Sequence, residues 1–367
     1  MHRGFFICRV KDRAHIGSMV NPRLLSVATA VPRHRLSQSD ALAHARQIFE
    51  ERVPAFARLA PVYGNAGVET RYLSVPLDWF ARPRSWAEAN RIYLEVAEEL
   101  LAEAAGRALE QAGLAASDVD TLIVVSSTGI ATPSLDARML RRLDFRDDVK
   151  RVPLFGLGCA GGVLGLGRAA QFAASGEGET VLLLVVELCS LTFRWSDTGK
   201  SNQVATAIFG DGAAAAVLRG GHGGDGAALT AWGEHTWPDS LDVMGWSVEE
   251  DGFGVIFSPR IPEIVRTGMR GEVDRFLARN GLTLADIDLF ACHPGGAKVA
   301  DALEEAFGLP EGGLAHSRSV LRDYGNMSAA TVFFVLERMK EDGIDGQRVL
   351  MQALGPGFTA GFAVLEG

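Results

Sequence analysis

The feature that most constrains this chain is an internal repeat. Residues Leu109–Val125 (LEQAGLAASDVDTLIVV) align without a gap on Leu277–His293 (LARNGLTLADIDLFACH), a shift of 168 residues. Each copy reads as a helix end, a glycine stop, a short turn and an apolar run of strand length. The same shift carries Val181-Leu-Leu onto Val349-Leu-Met, and a shift of 167 lays Gly158-Cys159 on Gly325-Asn326. A unit of alternating strands and helices that occurs twice predicts α/β layers in two duplicated halves packed about a pseudo-twofold axis. The expected division is a loose tail over 1–20, an N-terminal half over 21–220 and a C-terminal half over 221–367.

Within the first half, Asn21–Ala30 reads as a strand and Ser37–Phe49 as a helix opened by Ser37 or Ser39. Residues Asn65–Leu73 read as an irregular turn, and Ile92–Ala112 as an amphipathic helix ended by Gly113. Leu122–Ser126 reads as a buried strand that runs into a loop ending at Pro133.

Cys159 lies in a glycine-rich turn between the strand end Arg151–Phe155 and the apolar, proline-free run Val163–Ala174. That places it near a helix N-terminus, where unpaired N–H groups and the macrodipole favour an anion and lower a thiol pKa. Position alone makes Cys159 a candidate nucleophile. Two other readings stand beside it. Gly156, Gly158 and Gly161 spell G-x-G-x-x-G, with Glu187 closing the next strand as a ribose acid, the fingerprint of a nucleotide-binding oxidoreductase. That fingerprint usually opens the first strand of its domain, whereas this one sits near mid-chain. Cys159 can also be a small buried hydrophobe.

The duplication supplies partners. If the Cys159 and Asn326 turns are equivalent, both face the junction of the halves, with His293 at a strand end nearby. His293 would then form an ion pair with the Cys159 thiolate, and Asn326 would donate a fixed hydrogen bond to a developing oxyanion. The plainer readings are that His293, before Pro294, only ends a strand, and that Asn326, after Gly325, only suits a turn.

Charge and cysteine usage narrow the function class. A net charge of −9 argues against a general nucleic-acid binder, so a phosphate-bearing ligand needs a local basic patch. Cys8, Cys159, Cys189 and Cys292 are widely spaced with no C-x-x-C, against a zinc cluster or disulfide scaffold and in favour of a reducing cytoplasm. The patch Phe5-Phe-Ile-Cys8 is too short for a secretory segment, and Met19 is a second candidate start. No apolar run reaches the roughly 18 residues of a membrane helix.

Five motifs in order, Gly158-Cys-Ala-Gly-Gly162, Phe209-Gly-Asp-Gly-Ala-Ala214, His293-Pro-Gly-Gly296, Tyr324-Gly-Asn-Met-Ser328 and Gly355-Pro-Gly357, resemble the type III polyketide synthases. These are the chalcone and stilbene synthase-like members of the thiolase superfamily, and the likeness runs from about residue 21 to the end. The resemblance implies a five-layered αβαβα thiolase-like fold, a homodimer, coenzyme A thioesters as substrates and no metal or organic cofactor. It also implies Cys159, His293 and Asn326 as a catalytic triad. An acyl group would load from coenzyme A onto Cys159, and His293 and Asn326 would hold malonyl-CoA as it loses CO₂. The resulting enolate would attack the acyl-enzyme. An initiating ketoacyl-carrier-protein synthase shares the triad, but usually follows its histidine with Gln-Ala-Asn, where Pro294-Gly-Gly stands here.

By the same resemblance the substrate cavity takes in Ser127, Thr128, Cys189, Thr192 and Phe209. Trp246, Val255 and Ser328 complete it, and Thr132, in the loop Ile130–Pro133, reaches into the partner's cavity. Coenzyme A contacts fall at Arg58, Gly296 and Lys298. There are departures from the family pattern. Phe209 matches one gatekeeper phenylalanine, but Val255 stands where the second would be. Of the basic cluster before Arg71-Tyr72 only Arg58 remains, Pro61 and Asn65 being uncharged, which leaves delivery by an acyl carrier protein open. Trp246 replaces a glycine and would fill the space for an aromatic starter, while Cys189 and Val255 would open a narrow apolar channel. The expected substrate is therefore an aliphatic acyl-CoA, extended with malonyl units to an alkylpyrone or alkylresorcinol. Cys189, with no basic partner in sequence, is expected to be unreactive.

Overall fold

The structure, a computed structural model, describes residues 21–54, 56–221 and 224–367, so the expected tail over 1–20 lies outside the described residues. In the first half the strands are β1 (Pro22–Ala30), β2 (His34–Ser37), β3 (Thr70–Leu73), β4 (Thr121–Val125), β5 (Lys150–Leu154), β6 (Thr180–Leu188) and β7 (Asp211–Gly220). In the second they are β8 (Ala227–Thr236), β9 (Met244–Glu249), β10 (Gly252–Phe257), β11 (Leu289–Cys292), β12 (Arg348–Gly355) and β13 (Thr359–Glu366). Nine of them form one mixed sheet in the order β11-β12-β13-β8-β1-β7-β6-β4-β5. Read outward from the centre, β1-β7-β6-β4 in one direction mirrors β8-β13-β12-β11 in the other. The halves join at β1 and β8 through Arg23 opposite Ala228 and Leu24 opposite Ala227.

The repeat is therefore structural, with one correction. The 168-residue shift holds for strands, carrying β4 onto β11 and β6 onto β12. The helices that follow, Gly161–Ala173 and Thr331–Asp342, are offset by 170, as are their leading turns Gly158–Ala160 and Ser328–Ala330. Counted from the start of one element to the start of the next, the step from strand to helix is two residues longer in the second half and the step from helix to the following strand two shorter. By position in the fold, the counterpart of Cys159 is thus Ala329, not Asn326.

Three separate apolar clusters give the layering. One packs the long helix Trp86–Gln111 against the outer face of the first half of the sheet. A second holds the helices Gly161–Ala173 and Thr331–Asp342 between the two halves of the sheet. The third covers the other outer face with Arg270–Arg279 and Ala297–Phe307. Two sheet halves and three helical layers make the expected α/β/α/β/α stack. β4 and β6 are buried at every position, which is why they read as continuous apolar runs rather than alternating ones.

Local signals behave as their chemistry requires. Ser37 caps the helix Gln38–Phe49 by accepting from the Asp40 amide, and Ser85 caps Trp86–Gln111 by accepting from the Glu88 amide. The latter helix begins six residues before the expected Ile92. Residues 65–73 are more regular than expected: the helix Pro61–Asn65 is followed by β3, which pairs antiparallel with β2 and buries Arg71 and Leu73 on alternate positions. Among the described residues no helix is long and apolar enough to cross a membrane.

Candidate active site

The glycine-rich stretch allows two turns to meet. Gly158 has φ +47°, and a Cβ there would lie 2.5 Å from Cδ of Pro356. A Cβ on Gly162 would lie 2.3 Å from the carbonyl oxygen of Ala329. Bare backbone here thus admits the second half of the chain, not a pyrophosphate, and the G-x-G-x-x-G reading falls. Glu187, its expected ribose acid, is buried in the same way: its carboxyl group accepts from the Ser127 amide and the Thr128 hydroxyl. Ser127 in turn accepts from the Gly158 amide at 3.1 Å, tying this network to the Cys159 turn.

Asn326 is held on every side. Its amide donates to the Ile208 carbonyl and its carbonyl accepts from the Gly210 amide, so it bridges to the Phe209 turn. In the side chain, Nδ2 donates to the Gly295 carbonyl at 2.8 Å and Oδ1 accepts from the Ser328 amide at 2.8 Å. The side-chain amide also faces the Cys159 thiol. Asp211, in the same Phe-Gly-Asp-Gly motif, accepts from the amides and hydroxyls of Ser74 and Ser190, which anchors the segment Cys189–Thr192 beside the site.

Cys159, His293 and Asn326 all line one cavity of about 510 Å³, and Arg58, Gly296 and Lys298 line it too. The residues expected for the triad and for coenzyme A therefore share one space. Cys189, Thr192, Phe209 and Val255 line a second, smaller cavity of about 80 Å³, almost wholly apolar and continued by Leu36, Ile48 and Phe80. Thr128 and Thr192 border a third small space. Ser127 and Ser328 are buried next to the Cys159 turn and act through hydrogen bonds. Trp246 packs against Phe209 and Phe253 at centroid distances of 6.3 and 6.0 Å. Thr132 is exposed, in a loop where Ile130 is 45% exposed, and lines neither of the two larger cavities.

The activation expected of Cys159 is not present at rest. It lies in a 3₁₀ turn before the helix proper, is 8% exposed, and burial pushes its thiol up to about 12. Hydrogen bonds from Ser328 and Asn326 pull the other way without prevailing, while the negative charge of Glu187 adds to the rise. A helix terminus contributes roughly 0.3–1 kcal/mol, under one pKa unit, and burial outweighs it. Nor is the ion pair with His293 made. Both ring nitrogens lack a hydrogen-bond partner, and burial pushes the imidazole down to about 4. Burial thus favours the neutral thiol and the neutral imidazole over the ion pair. The Cys189 thiol is also pushed well above its ordinary range, by burial and by the neighbouring Glu187 and Asp211.

Two residues escaped the sequence reading. Phe257, two positions after Val255 on the same face of β10, lies 5.7 Å from the Phe209 ring and lines the larger cavity. Strand alternation was the available signal. Lys200, which opens the helix Lys200–Ile208, lines that cavity as well. Nothing local in sequence marked it.

Comparison with known proteins gives a single picture. Models of the chalcone and stilbene synthases match over residues 14–222 (N-terminal domain) and 230–367 (C-terminal domain). A 1,3,6,8-tetrahydroxynaphthalene synthase of Streptomyces peucetius subsp. caesius is 43% identical, the match covering 93% of this chain and 92% of that protein. A putative chalcone synthase of Bacillus subtilis (strain 168) is 36% identical, with 92% and 96% covered. The crystal structure of 1,3,6,8-tetrahydroxynaphthalene synthase from Streptomyces coelicolor A3(2), a bacterial type III polyketide synthase, superposes with a TM-score of 0.89 at 29% identity, covering 94% of this chain and 99% of that one.

Proposed function

The chain belongs to the chalcone and stilbene synthases, the type III polyketide synthases, and is an acyltransferase that catalyses Claisen condensation; from that premise we propose that Cys159 carries the growing chain while His293 and Asn326 generate the attacking enolate. The observation that carries this reading is their convergence on one cavity, with His293 bearing two unpartnered nitrogens.

In the loading step the neutral imidazole takes the Cys159 proton, sulfur attacks the acyl-CoA carbonyl, and the proton leaves on the coenzyme A thiol. Proton transfer creates the thiolate only when a substrate is present, which suits a thiol that is neutral at rest. Malonyl-CoA then enters the emptied cavity. Its thioester oxygen sits between the His293 ring N–H and the Asn326 side-chain N–H that faces Cys159, its carboxylate leaves as CO₂, and the electron pair is held as an enolate. The enolate carbon bonds to the Cys159 acyl carbon and expels the thiolate. Each step balances with a thiol, an imidazole and an amide, so the reading calls for no metal or organic cofactor.

For the starter, the small apolar cavity behind Cys189 and the packing of Trp246 on Phe209 favour a linear aliphatic acyl-CoA over an aromatic one. Each methylene buried there contributes about 0.8 kcal/mol. Extension by malonyl units would then yield an alkylpyrone or alkylresorcinol. A second reading, favoured by the 43% identity to a tetrahydroxynaphthalene synthase, is that malonyl units alone serve as starter and extender. Labelled malonyl-CoA, offered alone and with octanoyl-CoA or coumaroyl-CoA, separates them by product mass. Faster turnover of coumaroyl-CoA would overturn both, and Cys189→Phe should shorten the accepted chain if the aliphatic reading holds.

We also propose a homodimer in which the loop Ile130–Pro133 reaches the partner, supported by the exposed apolar side chains of Ile130 and Phe155. A monomer by light scattering under turnover conditions would refute it.

A further inference from the structure

The cavity that reaches Cys159 has charged walls of a single sign. Arg58, Lys200 and Lys298 line it and no aspartate or glutamate does, in a chain with 45 acidic and 36 basic residues. All three are exposed, and among the described residues none has a salt-bridge partner. By contrast, Arg194 pairs with Asp197 and Asp251, Arg260 with Asp242 and Arg266 with Glu305. The three free cations come from three separate helices, beginning at Phe56, Lys200 and Ala297. Unpaired like charges gathered on one rim repel each other and attract a polyanion. Pro61 and Asn65, which also line the cavity, are uncharged, and their short helix Pro61–Asn65 packs against the Lys200 helix.

We propose that Lys200 grips a phosphate of the thioester carrier and, with Arg58 and Lys298, forms a three-cation clamp at the entrance. The nature of the carrier rests on the polyketide synthase reading, because its thioester must pass through this cavity to reach Cys159. The chemistry recognised is phosphorylated pantetheine, whether as coenzyme A or as the arm of an acyl carrier protein.

Titration calorimetry of the wild type, Lys200→Gln and Lys200→Arg with coenzyme A, 4′-phosphopantetheine and pantetheine tests the clamp. Lys200→Gln should raise the Kd of coenzyme A about tenfold, with Lys200→Arg recovering most of it, as for one charge-assisted phosphate contact. Pantetheine, which has no phosphate, should shift by less than about twofold. An equal loss for phosphopantetheine assigns Lys200 to the phosphate that both carriers share; a loss confined to coenzyme A assigns it to the phosphates that only coenzyme A has. No loss with coenzyme A, or the same loss with pantetheine, overturns the proposal. Binding is read without turnover, so a failed condensation reading would instead appear as coenzyme A bound with no acyl adduct forming on Cys159.

Discussion

The two halves repeat one scaffold and differ at corresponding points. The turn Gly158–Ala160 carries Cys159 where the turn Ser328–Ala330 carries Ala329. His293 follows β11 where Val125 ends β4, and Glu187 stands near the end of β6 where Gly355 ends β12. No reactive group occurs twice. Duplication thus builds a junction at which two strand ends and two helix starts meet, and each copy then gives one kind of chemistry to it. On the proposed assignment the nucleophile comes from the first half, and the base and amide come from the second.

The sharpest way to test that division is to empty one side. Cys159→Ala should abolish the acyl adduct seen by mass spectrometry and lower product formation by on the order of 10⁴-fold or more. An adduct that persists on Cys189 would break the comparison. His293→Gln and Asn326→Ala should leave loading measurable while cutting malonyl decarboxylation about 10²–10³-fold, read as released labelled CO₂. Equal loss of loading and decarboxylation in Asn326→Ala would mean the second half does more than stabilise the enolate.

Stability should be just as one-sided. Gly158→Ala places a methyl against the Pro356 ring at a positive φ and should cost about 2–4 kcal/mol in thermal or denaturant unfolding. A control in the matching turn of the second half, Ala329→Gly, should cost about 1 kcal/mol and keep acyl loading.

Two of the buried ionisable groups, one from each half, should tilt stability in opposite directions with pH. His293 is held near 4 against an ordinary 6.5, so its contribution is full above 6.5 and drains as pH falls towards 4. Burial raises Glu187 to about 8 from 4.5, so its contribution is full below 4.5 and drains as pH rises towards 8. In Glu187→Gln the opposing slope is removed, and stability should rise through the His293 contribution by about 2 kcal/mol from pH 5 to 6.5. In His293→Gln it should fall over the same interval. Parallel slopes in the two variants would show that the groups do not stand apart as described.

Much of this could be read from residues. The repeat located β4, β11, β6 and β12, because strands buried on both faces leave continuous apolar runs in register. It misplaced the equivalence of Cys159 and Asn326, because compensating length changes on either side of the helix are invisible to an ungapped match. Convergence of Cys159, His293 and Asn326 followed from motif order, but their resting protonation did not, since burial is a property of the assembled layers. Lys200 was illegible for a similar reason: a lysine at a helix start gains a role only when three separate segments close around one opening.

The central pair of helices sets a timetable for synthesis. Gly161–Ala173 is buried around nearly its whole circumference; one side packs on β6 and β4 of its own half, and the other meets Thr331–Asp342, β12 and β13, made roughly 170 residues later. At translation rates of about 5–20 residues per second the nascent chain holds that surface without its mate for on the order of 10–30 s. Over that interval the first half is an unfinished product on the ribosome, and its yield in a cell depends on what shields it there.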